Sequence, residues 1–273
     1  ELQPGGTFSS EKVVIVDVEG MLINAKEGGL LGSSENPLSN FQQQIDKIAK
    51  DDSVRAVVLR VNSPGGTVSS ADAMYTILTR LKARKHIPIV VSTSEVCASG
   101  AYYVSCAADK IVVQPTSVVG SIGVIFDSFD VSGTMAKIGV KSDPIKSGPN
   151  KDMGSPFKPL GDPERQIMQG MVNEYFARFK SVVKKNRQVP EDKWDMVTDG
   201  RVFSGEAAVQ LGLADQTGLL EDAIALAKSM GNAPKAKVVT YKRPYAYSGS
   251  IYASSQAPQP QSNVLQLELP GEH

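Results

Sequence analysis

Histidine is nearly absent from this chain of 273 residues, and its scarcity limits the acid–base chemistry open to the protein. The two histidines are His86, in a turn flanked by lysine and arginine, and His273, the last residue. A serine nucleophile needs a base that takes its proton. With so few histidines a Ser-His-Asp triad is not expected, so we expect any nucleophilic serine to rely on a lysine as its base.

Other absences exclude whole classes of protein. Basic and acidic residues balance at 29 each, so we expect no nucleic-acid partner. No run reaches the ~18 apolar residues that suggest a membrane span, and no Walker or GxGxxG motif supports nucleotide binding. His86, Cys97 and Cys106 lack the spacing of a metal site, so we expect neither a metal nor a cofactor.

The chain has only two cysteines, Cys97 and Cys106. If the residues between them are helical, nine steps of about 1.5 Å separate their Cα atoms by ~13 Å. A disulfide needs roughly 4.4–6.8 Å. We therefore interpret both as small buried thiols, which say little about the compartment.

Apolar runs alternate with helical patterns along the first half. Runs of strand length lie at 13–18, 56–61, 87–93, 110–114 and 121–127. They lack polar–apolar alternation, as in strands buried on both faces. Helices are predicted between them, capped by Ser39 or Asn40 and by Ser69 or Ser70, with a third after Ser99. This alternation predicts an α/β fold with a mostly parallel sheet.

The second half is more helical. Residues 162–164 form a helix start, with proline at the first position and an acid in the first turn. One broad stripe of this helix carries Ile167, Met168, Met171, Val172, Tyr175, Phe176, Phe179 and Val183. We interpret this stripe as core or subunit interface. Shorter helices are predicted at 204–212 and 219–230, the latter ending at Gly231. Residues 248–273, rich in Ser, Gln and Pro, are predicted to be a mobile tail.

Two motifs of the first half carry candidate chemistry. Asn62-Ser63-Pro64-Gly65-Gly66 lies between a strand and a helix, where glycines let a substrate approach backbone N–H groups. The alternative is an ordinary turn. Ser99 has small neighbours that leave room around its hydroxyl, as a nucleophile requires; the alternative is a helix-capping serine.

Two further residues complete a candidate set. Lys151 lies in a loop of Gly, Pro, Met and Phe, and a lysine acts as a base only where burial or a cationic neighbour lowers its pKa. The alternative is a solvated lysine. Ser121 is predicted to open a strand, where its hydroxyl orients a lysine or bonds its own backbone.

Five motifs in one order carry a family resemblance. They read NSPGG (62–66), ASGAYY (98–103), ADKIVVQPTSVVGSIGV (108–124), IKSGPNKDMGSPF (145–157) and DGRVFSGEAAVQLGLAD (199–215). With these motifs the chain resembles the signal peptide peptidase A family, serine proteases of the S49 type with the Clp/crotonase fold, from about Lys12 to Ala227. The resemblance implies a single peptidase domain at 1–247, with repeated ββα-type units and a helical second half.

The resemblance also implies roles for individual residues. Ser99 is the expected nucleophile, Lys151 the general base, and Ser121 the hydroxyl that orients the lysine amine. The expected oxyanion site consists of backbone N–H groups of Gly65 or Gly66 together with Gly100. Residues 199–201 match a family stretch with an expected structural role. Ala101, Asn150 and Cys97 depart from the usual family residues, which affects the expected shape of the subsites rather than the reacting groups.

Wider expectations follow from the same resemblance. The implied function is that of a serine endopeptidase with a Ser/Lys dyad, cleaving released signal peptides and other unfolded or membrane-derived peptides with small or apolar side chains. Single-unit relatives form homo-oligomeric rings, which implies that Ser99 of one subunit meets Lys151 of the next. Family members carry an N-terminal anchor that this chain lacks, so we expect an ectodomain on the extracytoplasmic side of a bacterial membrane.

Two other functions remain open on the same fold. A crotonase-type enzyme would use the glycine-rich site on an acyl-CoA thioester, with glutamates as acid and base. A non-catalytic assembly protein, such as a membrane-microdomain scaffold, would not need Ser99, Ser121 and Lys151.

Overall fold

The computed structural model describes residues 1–6, 9–25 and 36–241. The predicted tail at 248–273 lies outside these residues. The strands are β1 (Lys12–Leu22), β2 (Val54–Gly66), β3 (Ile89–Ala98), β4 (Lys110–Val113), β5 (Val118–Gly120), β6 (Val202–Ser204), β7 (Gln216–Thr217) and β8 (Lys237–Thr240). The helices are α1 (Pro37–Lys50), α2 (Val68–Lys85), α3 (Gly100–Ser105), α4 (Ser132–Lys137), α5 (Asp162–Asn186), α6 (Trp194–Val197), α7 (Gly205–Gln210) and α8 (Leu220–Met230), with a 3₁₀ turn at Glu191–Lys193.

The described strands form one mostly parallel sheet in the order β6-β5-β3-β2-β1-β8. Strand β3 pairs first with β4 and then, nearer its end, with β5, while β7 pairs with β4. Only the pair β5–β6 is antiparallel among the named strand pairs. The predicted α/β fold with a mostly parallel sheet is therefore confirmed.

Helices cover both faces of the sheet. Alternate residues of β1 divide between the two faces: Val14 and Val16 pack in a large core with α1, α2, α3 and α5, whereas Val13 and Ile15 pack in a smaller one with α8. All four side chains are fully buried. Burial on both faces explains why the strand sequences lack polar–apolar alternation.

Two predicted element boundaries are wrong near the candidate site. Strand β2 continues through Gly66, with Gly65 opposite Met21 of β1, so the NSPGG stretch is strand and not a turn. The predicted strand at 121–127 is also wrong, because the sheet pairing ends at Gly120. Gly120 and Ser121 both have positive φ, which turns the chain out of the sheet.

The helix caps also differ from the predicted ones. Asn36, not Ser39 or Asn40, caps α1, and its side chain accepts from the Ser39 N–H. Thr67, not Ser69 or Ser70, caps α2. Both caps lie a few residues earlier than predicted, because Pro37 and Val68 already adopt helical conformation.

The apolar stripe of α5 is buried along part of its length only. Phe179 and Val183 are in the large core, whereas Ile167 and Met171 in the first half of the helix are exposed. The core interpretation is therefore confirmed for the second half of α5. No helix among the described residues combines the length and apolar character needed to cross a bilayer.

Candidate active site

Ser99 occupies a strained turn between a strand and a helix. Strand β3 ends at Ala98 and α3 begins at Gly100, and Ser99 between them has φ 51° and ψ −123°. Its N–H donates to the Gly120 carbonyl at 2.8 Å, and its carbonyl accepts from the Tyr103 N–H at 3.0 Å. A non-glycine residue in such a conformation costs about 1–3 kcal/mol and persists only where its surroundings hold it. Such strain is concentrated at functional sites.

The end of β2 lies directly against this turn. A Cβ atom on Gly65 would lie 2.7 Å from the Gly100 nitrogen and 2.9 Å from Ser99 Cβ. A Cβ atom on Gly100 would lie 3.2 Å from the Gly66 nitrogen. The structure thus brings Ser99, Gly65, Gly66 and Gly100 together, and the closeness of the two backbones requires glycine at Gly65.

The N–H groups of these glycines are not equivalent. The Gly65 N–H donates to Ser63 Oγ at 3.1 Å. Gly100 is the first residue of α3, where a backbone N–H has no acceptor within its own helix. The N–H group of Gly100 is therefore better placed than that of Gly65 to receive a negatively charged oxygen.

Ser121 lies beside the same turn. It directly follows Gly120, whose carbonyl accepts the Ser99 N–H, and its own N–H donates to the Arg201 carbonyl at 2.8 Å. Ser121 also has φ 51°. Both candidate serines are thus held by one backbone network that runs from β3 through β5 to β6.

Lys151 is not brought to the two serines within one chain. Its side chain is exposed. Among the described residues, Lys151 Nζ makes no hydrogen bond or ion pair, with Ser99 and Ser121 or with any other residue. The loop of Gly, Pro, Met and Phe that was expected to exclude water leaves this amine open in the single chain.

The loop that carries Lys151 is nevertheless anchored. We define residues 146–158 as the lysine loop. Asp152 accepts hydrogen bonds from Lys146 at 2.8 Å and from Lys158 at 2.9 Å, and these bonds lower the pKa of its carboxyl to about 2. Lys158 also pairs with Glu164 in the first turn of α5. The network joins Lys146 and Lys158, which lie on the two sides of Lys151, and connects the loop through Lys158 to the start of α5.

Comparison with known proteins identifies the family. Residues 81–234, more than half of the chain, match Peptidase family S49. The chain belongs to peptidase family S49. An Enterococcus faecium protein named as a candidate signal peptide peptidase SppA is 35% identical over 86% of this chain and 68% of its own length. A candidate protease of Methanocaldococcus jannaschii is 39% identical over 78% of this chain and 68% of its own length. This S49 peptidase is thus a serine protease.

Solved structures support the fold. A membrane-bound stomatin-specific protease, in a serine-to-alanine variant, matches with a TM-score of 0.55 and 13% identity over 85% of this chain and 98% of that one. A lysine-to-alanine variant of that protein in complex with a substrate peptide matches with the same TM-score and 15% identity, over 87% and 95% of the two chains. The S49 peptidase therefore has the Clp/crotonase-like fold that the sequence predicts.

Exposed apolar side chains are frequent in the segment that precedes the lysine loop of this peptidase. The most exposed are Ile125 (76%), Phe129 (74%), Ile138 (71%) and Ile145 (104%). We call residues 125–145 the apolar arm. The segment 126–130 and the first half of α5 also line a groove of about 570 Å³. Clusters of exposed apolar residues commonly mark an interaction surface.

A cluster of residues that holds α3 beside Ser99 gave no signal in the sequence. Asp72 of α2 accepts from the Tyr103 hydroxyl at 2.6 Å and pairs with Arg178 of α5 at 2.7 Å. Burial, followed by the hydrogen bond to Asp72, raises the pKa of Tyr103. The cluster joins α3, which begins next to Ser99, to α2 and α5. Its members lie 31 and 106 residues from Asp72, a separation that no local motif reveals.

The two cysteines are free and buried, as predicted. Burial raises the pKa of Cys97 to about 11 and that of Cys106 to about 12. Because the thiolate is the reactive form, both are inert near neutral pH.

Proposed function

We propose that this S49 peptidase hydrolyses peptides with Ser99 as nucleophile, Lys151 as general base and Ser121 as the hydroxyl that orients the lysine amine. The observation that carries the proposal is the position of Ser99, in a strained turn against the backbone of Gly65 and Gly66. That position exposes a hydroxyl beside polarised N–H groups at a helix start. Acyl transfer requires this combination of a nucleophile and nearby donors.

The proposed reaction uses each group in turn. The neutral Lys151 amine takes the Ser99 proton while Ser99 Oγ attacks the scissile carbonyl. The N–H groups of Gly66 and Gly100 stabilise the resulting oxyanion, where one such donor contributes about 2.7–4 kcal/mol. The ammonium then donates its proton to the leaving amine, and water repeats the sequence on the acyl-enzyme.

We further propose that each site is shared between two subunits of a homo-oligomeric ring. The exposed amine of Lys151 supports this arrangement, since a base of this kind needs a neighbour to remove it from water. The apolar arm and the exposed side chains Ile167 and Met171 provide surface for a second copy. The anchored lysine loop would present Lys151 to the Ser99 of the adjacent chain.

The substrates we propose are released signal peptides and other unfolded or membrane-derived segments with small or apolar side chains. The name of the Enterococcus faecium relative supports this class. We also propose a place at a bacterial membrane, on its extracytoplasmic side, and the name of a membrane-bound protease of the same fold supports the membrane location. We take residues 1–247 as one peptidase domain, since the late strand β8 pairs with the first strand, β1.

The proposal is tested by covalent labelling and peptide hydrolysis together. We expect a fluorophosphonate probe to label the native enzyme at Ser99. Labelling and turnover should be lost in Ser99→Ala, and turnover should fall by at least about 100-fold in Lys151→Ala, the usual lower bound for a general base. The matched control is Lys50→Ala, an exposed lysine in the last turn of α1 and outside the apolar arm, which should behave as wild type. Full activity of Ser99→Ala would overturn the proposal.

The same experiment separates the two other functions. Saturable acyl-CoA binding without probe labelling would favour a crotonase-type enzyme. Neither labelling nor acyl-CoA binding by a folded, assembled protein would favour a scaffold. The pH dependence adds a further test, because the base must be unprotonated: kcat/KM should rise with pH, and a flat profile from about pH 6 to 10 would contradict a lysine base.

A further inference from the structure

The turn that precedes β6 is closed by an aspartate and an arginine two residues apart. The Asp199 carboxylate accepts from the Arg201 backbone N–H at 3.0 Å. The same carboxylate accepts from Arg201 Nε at 2.9 Å and from Arg201 Nη2 at 2.6 Å. Gly200 between them has φ 94°, a conformation that favours glycine. One carboxylate thus fixes both the backbone and the side chain of Arg201.

The carbonyl of this fixed residue holds Ser121. It accepts the Ser121 N–H at 2.8 Å. A Cβ atom on Gly120 would lie 3.2 Å from the same oxygen, and one on Gly123 would lie 3.4 Å from Gly200 Cα. The turn at 199–201 therefore packs against the chain on both sides of Ser121.

Ser121 needs such support because its backbone is strained. A serine with φ 51° lies in the left-handed region, which non-glycine residues adopt at a cost of about 1–2 kcal/mol. The hydrogen bond from its N–H to Arg201 opposes relaxation to negative φ. Relaxation would rotate the Cα–Cβ bond and move the hydroxyl away from the lysine that it is proposed to orient.

We propose that Asp199 is a positioning residue for catalysis, which acts by holding the Arg201 carbonyl that fixes Ser121. This inference rests on the proposed function, in which Ser121 orients Lys151. Asp199 and Arg201 are 40% and 54% exposed at their side chains. Exposed ion pairs contribute little to global stability, so loss of Asp199 should change catalysis far more than folding.

A double-mutant cycle between Asp199 and Ser121 tests the inference in the assembled enzyme. Asp199→Ala should lower kcat about tenfold with little change in KM, a fraction of the 10²–10⁴-fold that proton transfer contributes. Ser121→Ala should lower kcat at least as much. The double variant should be no slower than Ser121→Ala alone, because Asp199 acts only through that hydroxyl.

Two further variants define the controls. Asp199→Asn should recover most of kcat, since its amide oxygen still accepts from the Arg201 N–H. Asp195→Ala removes a neighbouring exposed aspartate whose side chain makes no hydrogen bond or ion pair with the described residues, and it should match wild type in kcat and thermal midpoint.

The remaining outcomes would overturn either this inference alone or the proposed function as well. If the effects of the two substitutions multiply in the double variant, Asp199 does not act through Ser121. If kcat falls only in proportion to a loss of folded protein in both Asp199 variants, Asp199 has a general structural role. Either result would overturn the inference and leave the proposed roles of Ser99 and Lys151 unchanged. If Ser121→Ala keeps wild-type kcat, or if the native enzyme is not labelled at Ser99, the proposed function itself fails, and this inference fails with it.

Discussion

At the scale of single residues, the proposed site contains two serines with the same positive φ. Ser99 and Ser121 both have φ 51°, and each donates its N–H to a carbonyl of a neighbouring segment, Gly120 and Arg201 respectively. Two strained residues in one network imply that the fold holds their hydroxyls in fixed directions. Fixed groups lower a reaction barrier because they need no reorganisation when charge develops.

Gly65→Ala tests the close approach of β2 to Ser99, the proposed nucleophile. The added methyl would lie 2.7 Å from the Gly100 nitrogen and 2.9 Å from Ser99 Cβ, so it must displace the turn. We expect fluorophosphonate labelling to slow by at least about 100-fold, comparable to the loss of an oxyanion donor. The measurement is the labelling rate of the folded variant, with thermal unfolding measured alongside.

The matched control for this change is Gly20→Ala. Gly20 also has positive φ, 62°, but nothing lies within 4 Å of an added methyl. It should therefore lose about 1–3 kcal/mol of stability from backbone strain alone and label at the wild-type rate. Wild-type labelling of Gly65→Ala would show that β2 does not shape the site.

Residues of this site differ in how far a sequence can predict them. The small neighbours of Ser99 predict an accessible serine at a helix start, and the structure places it there. The pairing of Gly65 with Met21 could not be predicted, because it depends on the contact of β2 with β1. Likewise, the sequence around Lys151 predicts a loop that excludes water, whereas the side chain is exposed in the single chain.

At the scale of elements, the lysine loop is an anchored unit and not a free surface loop. Asp152 joins Lys146 to Lys158, and Lys158 reaches Glu164 of α5. These four charged residues lie within 19 residues of sequence. Which of them pair depends on how the loop folds back on itself. The sequence motif predicts a role for Lys151, whereas only the structure shows which contacts hold the loop around it.

Asp152→Asn tests this anchoring. Loss of the carboxylate should remove the ion pairs that residue 152 makes with Lys146 and Lys158, which leaves Lys158 paired with Glu164. Hydrogen exchange of the lysine loop should then increase and kcat should fall several-fold, because the proposed base Lys151 is less well placed. Asp195→Asn, at an exposed aspartate of α6 without a side-chain partner among the described residues, should change neither. Unchanged exchange in Asp152→Asn would contradict the anchoring role.

The pH dependence of the loop has a defined sign. The pKa of Asp152 is lowered to about 2, so its pairing is fully present above the ordinary carboxyl pKa of about 3.9 and is lost as the pH falls toward 2. Protection of the loop in the wild type should thus be constant at neutral pH and fall only in this acid window. In Asp152→Asn, this acid step should be missing.

The same scale shows where sequence patterns fail for elements. The strands at 13–18, 56–61 and 110–114 are predicted because β-branched runs identify strands buried on both faces. The run at 121–127 has the same composition but lies outside the sheet, with Ile125 76% exposed. Composition alone cannot distinguish apolar residues that face the core from those that remain available to another molecule.

At the scale of the whole molecule, the proposed nucleophile and the proposed base make no hydrogen bond to each other among the described residues of a single chain. Ser99, Ser121 and the glycines lie close together in one chain, whereas the side chain of Lys151 is exposed. The fold and the family could be predicted from the sequence, since five motifs in order and the strand–helix alternation both indicate them. The ring remains a proposal that rests on the family resemblance and on the exposed apolar surface, because complementarity between copies leaves no periodic pattern along one chain.

Mixing of two inactive variants tests the shared site most directly. Ser99→Ala and Lys151→Ala chains are each expected to be inactive as pure assemblies. After co-assembly at equal amounts, about a quarter of the interfaces in a cyclic particle pair an intact Ser99 with an intact Lys151. We predict that peptide hydrolysis returns to roughly that fraction of wild type, whereas no recovery in verified mixed assemblies would contradict a site shared between subunits.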